Sequence, residues 1–524
     1  MKKQWFTGLV FAVLITAACF MGCSTSGGGG DKTNYVLDTD VVIVGGGFAG
    51  LSAAIAATQE GAGVVLVEKQ SVIGGASALG GGALGAADSA AQKAHGIVDQ
   101  PSAWLDMFYM RANQAKPPYR SSIFPIISDA GWLIDESAGV IDWLLEMGMT
   151  FGRPWNLQLD LAERYHSINN KGYSDGRGVA SFLLEHAKDL GVDIRVETKA
   201  VKVLQEGGPG SRAIGIELEG GNRIYAKAVI LAAGGFASDI NKYIDGGIEY
   251  STPISFLSGE GIEMAVAAGG ALWEDPWIIG MSLTQAITVK GLSSVERTEQ
   301  GMYVDSSGAR AGFENGNSSI STNYAMFAQK DGGRLFAIIS DAHDTPTQEQ
   351  INSGRVFKGN TLDELAANAG INAAKLKSEA TAYNAVCDAI AALNESSAPD
   401  SAYIGVDPLD IENANSNPNK QPAFHYLGND TRKTYVKIEG SSFYAVELLP
   451  VIAGTFGGVK TKTGTAEVLD KNDLTRVIPG LYAAGENANR NFYDKVYMSG
   501  SSTTQAVATG RAAGLTAAAY AAGN

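Results

Sequence analysis

The sequence predicts an α/β protein whose main domain is a doubly wound parallel sheet, divided along the chain by an inserted α+β domain. Three observations predict it. A strand–turn–helix–strand unit occupies residues 40–68, and apolar strands that end in glycines return at 228–235 and 479–485. Between residues 279 and 436 the chain is instead polar and rich in Asn and Ser. Apolar strands that alternate with helices are typical of parallel sheets covered on both faces.

The expected domain boundaries follow this change in character. Residues 36–278 and 437–524 form the doubly wound domain, and residues 279–436 form the inserted one. Inside the insertion, helical spacing of apolar residues at 373–393 predicts a helix, and a Pro/Asn-rich stretch at 413–422 predicts a loop. A chain of 524 residues is long enough to bury two hydrophobic cores.

The first unit has the spacing of a dinucleotide-binding turn. The apolar run 41–44 is followed by Gly45, Gly47 and Gly50 in the order G-x-G-x-x-G, then by an Ala-rich helix and a second apolar run that ends at Glu68. These glycines allow a tight turn, approach of the backbone to a pyrophosphate, and close packing of helix on strand. The helix N-terminus favours phosphate, and Glu68 can accept hydrogen bonds from ribose hydroxyls. The alternative is a glycine-rich turn without a ligand.

More glycines follow the acidic strand end, as expected where backbone lies against a flat ligand. The further residues predicted to contact the cofactor are small or lie beside these glycines, the turn or a predicted strand: Phe48, Ala49, Lys69, Gly74, Gly75, Ala76, Ser77, Gly81, Gly82, Val201, Ala233, Gly234 and Gly235.

Near the C-terminus a strand at 479–485 runs into Glu486, and a Ser-led, Ala-rich helix occupies 499–522. Ser501 and Ser502 suit the start of that helix, because their hydroxyls can cap its first N–H groups. Taken alone, these patterns also fit a solvated turn acid at Glu486 and plain core packing of the helix.

The net charge of −15 and the lack of a basic stripe argue against nucleic acid as a partner. Three cysteines are present, at positions 19, 23 and 387, which is too few for an iron–sulfur cluster with four cysteine ligands. No C-x-x-C-H occurs, so covalent haem is not expected, and five scattered histidines predict no metal site.

The N-terminus predicts export. Lys2 and Lys3 precede a largely apolar run at 5–21, and Gly22-Cys23 follows, with a Ser/Gly-rich stretch after it. This arrangement resembles a bacterial lipoprotein signal at 1–22, with Cys23 as the acylated residue and 23–35 as a flexible tether. Such a chain would be exported and lipid-anchored to the cell membrane, on its periplasmic or extracellular face. Alternatives are acylation at Cys19 and a plain secretory signal.

Taken in order, the motifs resemble those of one flavoprotein family, the fumarate reductases, urocanate reductases and 3-ketosteroid dehydrogenases. The resemblance runs from Asp40 to the C-terminus. Besides the glycine turn, it rests on G-G-A-S at 74–77, A-A-G-G-F at 232–236, S-G-E-G at 258–261, F-G-G-V at 456–459 and P-G-L-Y-A-A-G-E at 479–486.

This resemblance implies FAD in a Rossmann-like domain that a cap domain splits, with substrate between them against the isoalloxazine ring. It implies that Glu486 lies near the ribityl chain and that the helix from Ser501 begins at the flavin N1/O2 edge. A helix N-terminus there would stabilise the negative charge of reduced flavin. Only one G-x-G-x-x-G is present, so no separate NAD(P)H domain is expected.

The chain departs from the fumarate pattern at the substrate side. Fumarate-type members use two His and two Arg, and these positions fall on Ser282, Ser318, Gly454 and Tyr497. Without two guanidiniums a buried dicarboxylate would be uncompensated, at a cost of roughly several kcal/mol. Fumarate is therefore an unexpected substrate, and these four positions are predicted to contact a less charged one.

Tyr497 is the favoured catalytic residue, because a phenol can donate a proton or bind a carbonyl; the alternative is a packing role. Glu314 and Tyr303 are reserve acids. Arg490 or Lys495 could bind one carboxylate. An R-x-H segment, Arg164 to His166, either faces the flavin or braces a loop.

Three functions fit these observations. The first is an FAD-dependent reductase that adds hydride from flavin N5 to an activated C=C bond of an enoate, cinnamate-like compound or enone. Its electrons would come from a quinol dehydrogenase, a cytochrome or a flavinylated carrier, as in anaerobic respiration. The second is a ketosteroid-type dehydrogenase, and the third is an electron-transfer lipoprotein without a substrate site.

Overall fold

The structure is a computed structural model. It describes residues 36–113, 127–156, 162–168, 172–285, 301–310, 325–326, 328–329, 332–342, 345–396, 436–493, 497 and 500–523. From Leu37 onward the chain forms one compact unit.

An eight-stranded sheet forms the first layer. Its strands are β1 (Thr39–Val44), β2 (Val64–Val67), β5 (Asp193–Arg195), β6 (Ala200–Gln205), β7 (Ala213–Leu218), β8 (Arg223–Leu231), β14 (Glu467–Asp470) and β15 (Asp473–Ala483). The order is β14-β15-β8-β1-β2-β5, and β7 joins β6 to β8. β1 pairs in parallel with β2 and β8, and β8 pairs in parallel with β15. The last strands of the chain therefore join the same sheet as the first strands. This confirms the predicted doubly wound fold.

A second, antiparallel sheet consists of β9 (Trp277–Gln285), β10 (Met302–Asp305), β11 (Leu335–Ser340), β12 (Val356–Gly359) and β13 (Phe443–Phe456). β13 is central and pairs with β9, β11 and β12. It starts beyond residue 436, where the inserted domain was expected to end, so this sheet draws on both sides of that boundary. The domain boundaries themselves stay a prediction.

The helices are α1 (Phe48–Gln59), α2 (Ala90–Ala94), α3 (Pro101–Asn113), α4 (Ile127–Glu146), α5 (Gly176–Asp189), α6 (Glu260–Ala267), α7 (Gln348–Asn352), α8 (Leu362–Ala369), α9 (Ala373–Ser396) and α10 (Ser501–Ala522). α9 covers the helix expected at 373–393. In the described part of the chain, no helix combines the length and apolarity that a membrane crossing requires.

α1 and α10 pack backbone to backbone beside the large sheet. A Cβ at Gly510 would overlap the carbonyl oxygen of Ala49, and one at Gly514 would overlap that of Ala53. Glycine at these two positions therefore sets how closely the helices approach, with the start of α1 beside the middle of α10.

A short two-stranded sheet, β3 (Leu84–Gly85) with β4 (Tyr165–His166), lies against the start of α10. The N–H of Gly85 donates to the carbonyl of Gly500 at 3.1 Å. The Thr504 hydroxyl donates to the carbonyl of Gly85 at 2.7 Å. This sheet thus holds the helix at its first turn.

Candidate active site

The glycine turn after β1 is built by backbone contacts. Gly45 has φ +107°, and a Cβ there would overlap the Ala232 carbonyl at the end of β8. A Cβ at Gly50 would overlap the carbonyl oxygen of Gly45. Gly47 caps α1 without a side-chain hydrogen bond, so the first N–H groups of the helix are directed at whatever lies over the turn.

Glu68, at the end of β2, is buried. Its Oε2 accepts the N–H of Gly46 at 2.8 Å, and its Oε1 accepts the N–H of Gln70 at 2.8 Å. Each carboxylate oxygen keeps a second lone pair. The side chain therefore holds the turn and keeps lone pairs for a ribose hydroxyl, and that role stays a prediction.

The second glycine segment packs onto the turn. Gly74 has φ +126° and donates its N–H to the carbonyl of Gly46 at 2.9 Å. Gly75, Ala76 and Ser77 form a 3₁₀ turn beside it, and Gly81 and Gly82 follow, with Gly82 close against the backbone of Asp175. The glycine turn, this segment and the end of β8 are together called the cradle below, and this segment is its first wall.

Two further residues predicted to contact the cofactor are Lys69 and Val201. The Lys69 ammonium pairs with the carboxylate of Glu260, so an ion pair accounts for this side chain. Val201 lies on β6 with 43% of its surface exposed, which leaves an apolar side chain open to a ligand.

The second wall of the cradle is the end of β8, which borders the turn because a Cβ at Gly45 would overlap the Ala232 carbonyl. The N–H of Ala233 donates to Oδ1 of Asn487 at 2.7 Å, and Nδ2 of Asn487 donates to the carbonyl of Gly234 at 2.7 Å. A Cβ at Gly235 would overlap the carboxylate of Glu486. Sequence reasoning missed Asn487, although it directly follows Glu486 in the 3₁₀ turn after β15.

Glu486 is held by the end of β13. Its Oε2 accepts the N–H of Thr455 at 3.2 Å and the Thr455 hydroxyl at 3.3 Å. Its Oε1 faces Gly454, where a Cβ would lie 2.6 Å away. The side chain as a whole is half-buried, but its oxygens lie against the backbone of Gly235 and Gly454. Burial therefore raises the pKa of the carboxyl to about 7, although the hydrogen bonds from Thr455 act to lower it.

The start of α10 completes the arrangement. Gly500 caps the helix with φ +76° and no side-chain hydrogen bond, and Ser501 is buried in the first turn. The hydroxyl of Tyr497 lies 2.9 Å from Oγ of Ser502. Burial raises the pKa of the Tyr497 phenol, although the hydrogen bond with Ser502 opposes that rise. Tyr497 is therefore a protonated donor at neutral pH, next to the helix N-terminus.

These parts meet the requirements of FAD. A buried acid lies at a strand end, two helix N-termini lack side-chain caps, and glycines bring backbone close on both walls. A protein-family model described as "FAD binding domain" matches residues 40–504. The chain belongs to this family. FAD is accordingly its cofactor, and the protein is an FAD-dependent oxidoreductase.

Known flavoprotein reductases and dehydrogenases resemble most of the chain. A fumarate reductase (cytochrome) of Shewanella frigidimarina is 28% identical over 501 residues, which covers 92% of this chain and 77% of the relative. A vinyl phenol reductase of Lactiplantibacillus plantarum is 26% identical over 491 residues, covering 86% and 90%. The structure of a 3-ketosteroid-Δ4-(5α)-dehydrogenase of Rhodococcus jostii RHA1 superposes with a TM-score of 0.62 at 23% identity, covering 93% and 98%. The family resemblance and the fold are thereby confirmed.

Beside the FAD cradle, aromatic rings surround Tyr497. The Phe456 and Tyr493 rings stack with centroids 4.8 Å apart, and Tyr497 lies 6.3 Å from Tyr493. Tyr493 is fully buried, and its hydroxyl faces Ser501 without a well-formed hydrogen bond. Burial raises the pKa of that phenol strongly. No signal in the sequence distinguished this tyrosine from a core residue.

Three predicted basic residues are engaged elsewhere. Arg490 is buried and donates from Nη2 to Asp275 at 2.6 Å and from Nε to the Asp275 carbonyl at 3.1 Å, so it braces a loop instead of facing a substrate carboxylate. Arg164 and His166 are buried within the protein and brace β4. Of the two interpretations of the R-x-H segment, the structure supports the bracing role.

The remaining predicted residues either belong to the second sheet or fall outside the residues that the structure describes. Ser282 is on β9, paired with Val451, and its side chain is not described. Tyr303 is buried on β10 in the second sheet. Glu314, Ser318, Lys495 and Cys23 lie outside the described residues. In the described part of the chain, no three His, Cys, Asp or Glu side chains form a candidate metal site.

Proposed function

We propose that this flavoprotein reduces an activated C=C bond in an unsaturated substrate that is not a dicarboxylate: an enoate, a cinnamate-like compound or an enone. The observation that carries this proposal is the position of Tyr497, a protonated phenol held by Ser502 at the start of α10. Relatives named fumarate reductase and vinyl phenol reductase support the reaction type. Vinyl phenol is an aromatic alkene without a carboxylate, so the reaction type does not require a charged substrate.

The chain's own residues have two tasks in such a reaction, beside the chemistry that the cofactor supplies. Bound FAD, when reduced, supplies the hydride that the β carbon gains. Tyr497 supplies the proton that the α carbon gains, or donates a hydrogen bond that polarises a conjugated carbonyl. The N–H groups at the start of α10 stabilise negative charge at the flavin edge. Each turnover would consume two electrons from an external donor, together with two protons.

The substrate side is unsuited to two carboxylates. Gly454 and Tyr497 stand where fumarate-type members carry His and Arg, and both are uncharged. Behind Gly454 lies the Glu486 carboxyl, which becomes negative above a pH of about 7. A substrate carboxylate near Gly454 would meet repulsion instead of a guanidinium, which favours a neutral group or a hydrogen-bond donor there.

We further propose that the enzyme works outside the cytoplasm, anchored by lipid at Cys23. Lys2, Lys3 and the apolar run at 5–21 support this placement. NADH is absent there, so the donor would be a quinol dehydrogenase, a cytochrome or a flavinylated carrier. Labelling with radioactive palmitate would test the anchor: incorporation into the natural chain and its loss in Cys23→Ala is the expected result.

The function is tested by mixing dithionite-reduced protein anaerobically with a panel of enoates, cinnamates, enones and fumarate. Reoxidation of the flavin by one of the first three classes, with fumarate inert or much slower, is the expected result. Fumarate as the fastest oxidant would refute the substrate class. If no compound reoxidises the flavin while a cytochrome does, the protein is an electron carrier and the proposal is wrong.

A ketosteroid-type dehydrogenase is the second candidate, because the Tyr497 hydroxyl could bind a ring ketone. Its test is oxidation of a saturated 3-ketosteroid with an artificial electron acceptor. Turnover there, combined with inert enoates and cinnamates, would favour this candidate over the first.

A further inference from the structure

A buried polar cluster behind the β3–β4 sheet has no part in the proposed reaction. It consists of Asp99, Arg164 and His166, with Ser89 and Gln92 as partners, all buried. Arg164 and Asp99 form two parallel hydrogen bonds, Nε to Oδ2 at 3.0 Å and Nη2 to Oδ1 at 2.7 Å. Charged groups this deep cost free energy to bury, so their geometry has to be precise to compensate.

His166 is neutral and carries its proton on Nδ1. Nδ1 lies 3.1 Å from the carbonyl of Leu84 and 2.9 Å from that of Arg164, and carbonyls only accept hydrogen bonds. Nε2 therefore accepts the hydroxyl hydrogen of Ser89, 2.8 Å away. The imidazole thus ties together β3, β4 and the N-cap of α2.

From this cluster, rigid contacts lead to the start of α10. The N–H of Ala86 donates to the carbonyl of Arg164 at 2.9 Å, and Gly85 bonds in turn to Gly500 and Thr504. The ring of Tyr165 packs on Gly500 so closely that a Cβ there would lie 2.7 Å from it. The first turn of α10 is therefore held on two sides by β3 and β4.

We propose that Asp99, Arg164 and His166 are positioning residues for the FAD: they fix the β3–β4 sheet, and this sheet fixes the N-terminus of α10 against the flavin. The positive end of the helix stabilises the negative charge of the reduced cofactor only at short range, because the effect falls off within one turn. A shift of the helix start should therefore lower the flavin's midpoint potential. This inference rests on the FAD site and not on the proposed substrate.

The test measures the midpoint potential of the bound flavin in His166→Leu and Asp99→Asn. We expect at least a tenfold fall in the ratio of reduced to oxidised flavin at a fixed potential, which for two electrons is a shift of about −30 mV. His166→Asn, which can keep the donor near Leu84, should recover part of the shift. The FAD dissociation constant and the melting temperature are recorded for every variant.

Leu365→Ala provides the matched control. Leu365 is fully buried in the second sheet's core, so this variant loses stability without touching the cluster. It should lower the melting temperature and leave the potential unchanged. If the cluster variants behave in the same way, with lower melting temperatures and an unchanged potential, the positioning role is wrong and the cluster only stabilises the fold.

Thr504→Val keeps the test decisive should the cluster variants fail to fold. It removes the hydroxyl that reaches Gly85 and leaves every buried charge in place. A potential shifted in the same direction supports the proposal, and an unshifted one overturns it. In the double variant with His166→Asn, the two shifts should be less than additive, because both act through the same sheet.

Discussion

The turn around Gly45 and the region around Tyr497 serve neighbouring parts of one site. The first is formed by backbone groups and the second by side chains. The turn is backbone: its shape follows from glycines packed against the carbonyls of Gly45 and Ala232. The other region is made of side chains that arrive from separate stretches, at 454–456, 486–497 and 501–502. A cofactor site built from backbone keeps its shape while side chains change, whereas a substrate site built from side chains can be altered one residue at a time.

The largest effect is expected from a side chain placed in the turn. Gly50→Val should give protein without FAD, because even the Cβ would overlap the Gly45 carbonyl. Flavin absorbance per mole of purified protein measures the loss. Gly139→Ala in α4, where a Cβ meets nothing within 4 Å, is the control and should keep full flavin. Full occupancy in Gly50→Val would show that the turn is not limited by its backbone.

The next effect separates the two regions. Tyr497→Phe should keep its FAD but lose roughly a hundredfold or more in kcat, since a positioned acid contributes about that much. Stopped-flow reoxidation of the reduced flavin by the best alkene measures it. Tyr444→Phe, on β13 in the second sheet, should leave kcat intact. If Tyr497→Phe and the natural chain have the same kcat, the phenol does not have the proposed catalytic role.

A third prediction concerns the support behind the substrate region. Burial lowers the pKa of His166 to about 4, from 6.5 in an unfolded chain. Between these values the unfolded chain binds a proton that the folded protein does not, so stability should fall as the pH is lowered from about 6.5 to about 4, by roughly 3 kcal/mol in all.

Urea unfolding across this pH range, compared between the natural chain and His166→Asn, measures the contribution. The variant should lose this part of the pH dependence, whereas His186→Asn, on α5, should keep it. An identical pH dependence in all three proteins would mean that His166 titrates normally.

The smallest effect should come from Glu486. Its pKa of about 7 means that it ionises between pH 6 and 8. The KM for a carboxylate-bearing alkene should then rise roughly tenfold over that range, through repulsion, while the KM for a neutral enone stays level. Glu486→Gln should abolish the difference between the two substrates. Parallel curves for both substrates in the natural enzyme would contradict this electrostatic account.

The contrast between the backbone turn and the side-chain region also explains which features could be predicted from the sequence. The glycines of the turn, the acid at Glu68 and the Ser-led helix are local patterns, so the fold and the cofactor followed from the sequence. The partner of Arg490 could not be foreseen, because Asp275 lies 215 residues away in the chain. Arg164 likewise pairs with Asp99, 65 residues distant. Residue type indicates what a side chain can bind, and only the fold determines which partner it meets.

Tyr493 and Asn487 were missed for a related reason. Both stand in a stretch whose composition resembles an ordinary loop, and their roles come from contacts with Phe456 and with the end of β8. Neither contact leaves a periodic signal in the sequence.

β13 carries one more consequence. It pairs with β11 and β12 near its start, runs on along β9, and ends where Thr455 holds Glu486. Successive residues of a strand face opposite sides, so inserting or deleting one residue in its second half would turn Thr455 away from Glu486. A change in the number of residues of this strand would therefore separate the second sheet from the carboxylate of Glu486, whereas an exchange of a side chain leaves the register in place.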